Sequence, residues 1–92
     1  IPGSEVAEDE QLLADIQARS DTIYHPTSTC KMGPDPYTAV VDNRLCVHGM
    51  QNLRVVDASV FPCVTSGNIN APVIMLAEKA AEMILVVTRT GR

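Results

Sequence analysis

Aromatic side chains are nearly missing from these 92 residues: Tyr24, Tyr37 and Phe61 are the whole set, with no tryptophan. Small domains draw much of their buried area from aromatics. A chain of this length is already marginal without disulfides or metal. Cysteine does not fill the gap. Cys30, Cys46 and Cys63 stand far apart with no C-x-x-C pair, which argues against a zinc cluster, so no metal site is expected. The odd count leaves at least one thiol free or paired outside the chain. The plainest reading is three buried small hydrophobes.

Positive charge is short as well. Seven basic residues face eleven acidic ones, for a net charge of −4. Nucleic acid is therefore not an expected partner, because phosphate binding wants a basic face. No apolar run reaches the roughly 18 residues of a transmembrane helix, so no membrane span is expected. The acidic opening "IPGSEVAEDEQ" is not a signal peptide. There is no N-x-S/T sequon, no internal repeat and no G-x-G-x-x-G.

What is present reads as two helices around an irregular middle. Residues from about 7 to 19 predict a helix, with Leu12, Leu13 and Ile16 on one face. Acidic residues crowd its first turn and Arg19 its last, as the helix dipole favours. Ser20 and Asp21 stop it. Residues 25–38 are a loop broken by Pro26, Gly33, Pro34 and Pro36. Short strands are expected at 39–42, 45–49 and 53–56, with a turn at 42–44. From Ala71 to about Val87 a second helix is expected, capped by Asn70 or Ala71, with Pro72 in its first turn. Its first half, "APVIMLA", is apolar all round. Burying it on every side takes more protein than 92 residues supply, so the chain reads as a piece of something larger.

The chemistry-bearing stretch is "YHPTSTCKMG". A histidine in a tight loop of small residues suits a general base, because its proton affinity lies near working pH. It also suits a hydrogen-bonded structural histidine. Three further stretches follow: "VVDNRLCVHGMQNLRVVDAS", "SGNINAP" and "AEKAAEMIL". In this order and spacing the chain resembles the C-terminal segment of the glucose–methanol–choline (GMC) oxidoreductases over residues from about 8 to 86. The family pattern is His-Pro-x-Gly-Thr-Cys-x-Met-Gly, then Val-Asp near Leu-x-Val-x-Gly, then Leu-Arg-Val-x-Asp-Ala/Gly-Ser, then a Gly-Asn-x-Asn or Ser-His stretch opening the last helix. Ser28 departs from that pattern, where a glycine is usual.

The resemblance implies an α/β fold class. As an α+β fragment, the chain would complete an FAD-binding Rossmann-like domain with its long C-terminal helix. Residues 1–38 would carry the first helix and the catalytic-histidine loop, and residues 39–92 the strands and last helix. The missing glycine fingerprint would lie in the remaining N-terminal part of the enzyme, as a separate chain or the other half of a nicked one. The implied chemistry is oxidation of a small-molecule alcohol, with hydride passing to FAD and oxygen or another acceptor reoxidising it.

By the same resemblance, His25 is the catalytic base. Asn68 is its partner on the substrate oxygen, able to donate a hydrogen bond but not to take the proton. Taken alone, Asn68 beside Gly67 is an ordinary turn residue. Asp57 and Ala58 match a strand end that lies against FAD, although an aspartate there also suits a loop cap. Asn68, Ile69 and Asn70 open the last helix, whose positive N-terminus suits the anionic edge of a reduced flavin. Tyr24 would pack near the flavin. His48 in "CVHG" matches no catalytic position and reads as a strand residue. Two other functions fit less of the sequence. A hydroxynitrile-lyase-type enzyme could use the same histidine on the same FAD scaffold without redox turnover. A stand-alone interaction module would have to fold alone, against the aromatic count and the apolar helix.

Overall fold

A computed structural model of the protein describes residues 2–90. Helix α1 runs over Asp9–Arg19. It begins two residues later than the periodicity predicts, because Gln11 Oε1 accepts from the amides of Ala7 and Glu8, both at 3.2 Å. Those residues cap the helix instead of joining it. Asp9 and Glu10 sit in the first turn, and Arg19 pairs with Asp15 one turn back at 2.7 Å. Ser20 ends the helix in an extended conformation. None of its residues is buried, so Leu13 and Ile16 lie open to solvent.

Helix α2 spans Asn70–Thr90, starting at Asn70 itself and running three residues past the expected end. Leu76 and Ala80 are buried, and Val73, Met83 and Val87 are half-buried. Their spacing of three and four places them on one stripe. The opposite side is open: Ile74 is 54% and Met75 59% exposed. The apolar first half therefore has one face covered by this chain and another that it does not cover.

Between the helices the chain folds back on itself in short extended pieces. The three expected strands do not form as strands. Single bridges join Met32 to Val41, Val41 to Val47 and Cys46 to Arg54. The cause is local. Leu45, Gly49 and Asn52 all have positive φ, so the chain reverses every few residues and each pairing is limited to about two bonds. Asp42 stabilises the first reversal, its Oδ1 accepting from the amides of Arg44 at 2.8 Å and Cys46 at 3.0 Å. This holds Leu45 in the left-handed region, which costs a side-chain-bearing residue about 1–2 kcal/mol. Leu45 is only 2% exposed, and burying such a side chain returns about 1.5–3 kcal/mol.

The core is small. Val41, Leu45, Val60, Phe61, Leu76 and Ala80 form it, with Met32, Val47, Val55, Ala58 and Val73 packed around them. The cysteines stay out of it: Cys30 and Cys46 are half-buried, Cys63 is exposed, and all three are free. The expectation of three buried thiols fails, because the core is filled by aliphatic residues and Phe61. Residues 2–90 extend 66 × 28 × 15 Å, with a radius of gyration of 19.5 Å. A compact domain of this length would have about 12 Å. Two helices and little sheet are what these residues contribute to the α/β architecture expected of them.

Candidate active site

The loop that carries His25 is built by short-range bonds. Thr22 Oγ1 accepts from the Tyr24 amide at 3.0 Å, turning the chain so that Tyr24 takes a φ of 58° and points outward, 77% exposed. Pro26 then disfavours a helical conformation at His25. Ser28 sits at a φ of 71°, in the left-handed region where glycine carries no steric cost. This is the position where the family pattern has glycine. The departure seen in the sequence is thus a strained serine, with its Oγ donating to Thr27 Oγ1 at 3.1 Å.

Beyond Ser28 the loop is tied to a distant segment. Asp57 Oδ1 accepts from the Ser59 amide at 2.7 Å and caps a 3₁₀ turn over Ala58–Val60. Hydrogen bonding from Ser59, its side chain first and its amide second, holds the Asp57 carboxyl below the usual carboxylate range. The carbonyls of this turn face the His25 loop. Ser28 N donates to Ala58 O at 3.2 Å, Cys30 N to Ser59 O at 2.8 Å and Met32 N to Val60 O at 2.8 Å. The structure therefore joins two stretches that the sequence separates by about thirty residues: the expected base loop and the expected cofactor segment at Asp57–Ala58. Asp57 itself runs into a capped turn instead of ending a strand.

His25 is half-buried. Its Nδ1 is covered by the chain and has no hydrogen-bond partner among the described residues. Asn68 is exposed, Ile69 half-buried and Asn70 exposed. Ile69 O accepts from Val73 N at 2.9 Å, the first bond of α2. No acceptor among the described residues meets the amides of Asn70 and Ala71, which leaves an open helix N-terminus. No hydrogen bond joins His25 to Asn68 among the described residues. A groove of about 610 Å³ lies elsewhere, between Arg44, Cys46, Leu53 and Arg54 and the end of α2 at Ile84 and Val87. None of the site residues expected from sequence lines it. Among the described residues no cluster of His, Cys, Asp or Glu could hold a metal, and no helix is long and apolar enough to cross a membrane.

One functional candidate escapes the sequence reading. His48 does more than occupy an extended stretch: its half-buried ring places Nε2 2.9 Å from Gly33 O, at the end of the base loop. No local pattern in "CVHG" signals that contact across fifteen residues.

Residues 2–77 match the family described as GMC oxidoreductase, and the chain belongs to that family as a C-terminal segment of it. It is 54% identical over 85 residues to the alcohol dehydrogenase [acceptor] of Pseudomonas putida, covering 92% of this chain and 15% of that protein. It is 58% identical over 83 residues to the oxygen-dependent choline dehydrogenase of Paraburkholderia xenovorans, covering 90% and 15%. Human mitochondrial choline dehydrogenase is 55% identical over 84 residues, covering 90% and 14%. The crystal structure of pyridoxine 4-oxidase from Mesorbium loti superposes with a TM-score of 0.71 at 44% identity, covering 83% of this chain and 15% of that one. The chain thus spans about one seventh of the length of these relatives.

Proposed function

We propose that this chain is the C-terminal part of an FAD-dependent enzyme that oxidises an alcohol CH–OH group, with His25 as the base. The observation that supports this most directly is the state of His25. Its Nδ1 is buried without a partner among the described residues, which leaves Nε2 as the nitrogen to meet a substrate. The three bonds from Ser28, Cys30 and Met32 to Ala58–Val60 hold the loop below it. The names of the alcohol and choline dehydrogenases to which the chain is similar favour a hydroxyl-bearing substrate.

FAD fits the residues present. The unpaired amides at the start of α2 suit an electron-rich ring edge, with Asn68, Ile69 and Asn70 around them. Asp57 and Ala58, tied to the base loop, and Tyr24 would line the same cofactor. FAD, when bound, supplies the acceptor for the hydride that leaves the alcohol carbon. This chain's residues manage the proton. His25 Nε2 takes it from the hydroxyl, and the Asn68 amide donates a hydrogen bond to the oxygen as its charge grows. The carbonyl product then leaves.

Residues 1–38 would serve as the helix and base loop. Residues 39–92 would complete a Rossmann-like FAD domain whose sheet and phosphate loop belong to the remaining N-terminal part of the enzyme. The open face of α2 at Ile74 and Met75 would pack against that part. Oxygen or another acceptor would restore the flavin.

The test is His25→Ala in the full-length enzyme, followed by anaerobic mixing with alcohol in a stopped-flow spectrometer. Flavin bleaching should slow by about 10²–10⁴-fold, the usual effect of losing a general base, while flavin content stays near wild type. A variant that bleaches at the normal rate refutes the role of His25. A wild-type flavin that stays oxidised while substrate is consumed refutes the oxidation itself and favours a lyase.

A further inference from the structure

The base loop is held at two ends, and the second end depends on a side chain that has no place in the family pattern quoted above. The bonds from Ser28, Cys30 and Met32 to Ala58–Val60 form a short ladder of alternate residues. Such a ladder sets direction but holds register weakly when it is only three bonds long. The residue that follows it, Gly33, is fixed from three sides. Its amide donates to Val41 O at 2.9 Å. Its Cα lies so close to Ala39 that an added Cβ would stand 3.0 Å from the Ala39 Cβ. Its carbonyl lies 2.9 Å from His48 Nε2. This is the one side-chain hydrogen bond, among the described residues, that reaches loop 25–33 from outside it. His48 is itself anchored, its amide donating to Val40 O at 3.0 Å.

The geometry points to His48 as a positioning residue for the catalytic loop: its imidazole clamps Gly33 and so fixes the register of residues 28–32 on Ala58–Val60, and through it the placement of His25. This rests on the role of His25 proposed above. A carbonyl oxygen only accepts, so Nε2 of His48 must carry the hydrogen. His48 touches no reacting atom. Its effect comes through the loop, where a shift of about 1 Å in a catalytic group costs on the order of 10²-fold in rate.

The full-length enzyme carrying His48→Leu, His48→Gln or His48→Asn tests this, with His25→Ala alongside. Flavin content, melting temperature and the rate of anaerobic flavin bleaching at saturating alcohol are measured for each. Gln places an amide nitrogen where Nε2 stood; Asn stops one bond short of Gly33; Leu keeps bulk without a donor. The expected result is bleaching per bound flavin slowed by about 10–100-fold in the Leu and Asn variants and restored to within about threefold by Gln. A merely structural histidine would lower the melting temperature or flavin content and leave the rate per bound flavin unchanged, which overturns the proposal. Should Leu fail to fold, the Gln and Asn pair decides alone: equal rates in both overturn it. If His25→Ala bleaches normally, the base assignment is what fails. If His25→Ala is slow and the His48 variants are normal, only the clamp fails.

Discussion

Replacing Asp57 by alanine removes the group that holds the 3₁₀ turn over Ala58–Val60. The carboxylate accepts from the Ser59 amide at 2.7 Å, and a lost cap of this kind costs about 0.5–2 kcal/mol, typically about 1. The cost spreads beyond the turn. All three carbonyls of Ala58–Val60 accept from the base loop, so a turn that opens more often releases the amides of Ser28, Cys30 and Met32 with it. At about 1.4 kcal/mol per tenfold, a 1–2 kcal/mol loss accelerates local opening roughly 5- to 30-fold. Hydrogen exchange on the full-length enzyme reads this directly: Cys30 and Met32 should exchange faster by that factor, and α1 should not change. Asp57→Asn keeps an acceptor and should lie between. The same contact has a pH signature. Ser59 holds the folded carboxyl below its ordinary value, about 3.9 in an unfolded chain. Its stabilisation is therefore full above that value and is lost as pH falls through the lower folded one. Protection at Cys30, corrected for intrinsic exchange, should drop only in that acid window. Faster exchange at Ser59 with Cys30 and Met32 unchanged would refute the reasoning, because the ladder would then stand without the cap.

Three further outcomes are expected. Ser28→Gly should be close to neutral: relief of a left-handed backbone, about 1–2 kcal/mol, is offset by added unfolded-state freedom of about 0.4–1 kcal/mol and by the lost bond to Thr27 Oγ1. Ser28→Val has no such offset and should destabilise the loop, read as lower thermal stability; equal melting temperatures for the two would refute the strain. Asn68→His keeps a donor and should retain part of the activity, whereas Asn68→Asp sets a unit charge near developing negative charge, worth roughly 4 kcal/mol at about 4 Å and an effective dielectric of about 20; bleaching that is indifferent to Asp would leave Asn68 a turn residue. Residues 1–92 expressed alone should not bind FAD, and micromolar binding by a folded monomer in a titration would refute the reading as a completing segment.

The two helices were legible in the sequence because their causes are local. Periodic apolar residues, the acidic first turn of α1 and Arg19 at its end, and Pro72 at the start of α2 act within a few residues of where they stand. The family was legible for a different reason: four motifs kept their order and spacing over most of the chain. The strands expected at 39–42, 45–49 and 53–56 do not form; alternation does not reveal backbone reversals, and Leu45 and Asn52 adopt positive φ without being glycine. Only the tertiary structure decided which distant segments meet. The bonds from residues 28–32 to Ala58–Val60, and from His48 to Gly33, depend on how the chain returns after long excursions, and no local preference encodes that. It also decided that Nδ1 of His25 is sealed, since burial is a property of what surrounds a residue. The all-round apolar start of α2 was readable from its composition alone, but the structure showed which face this chain covers, around Leu76 and Ala80, and which it leaves open at Ile74 and Met75.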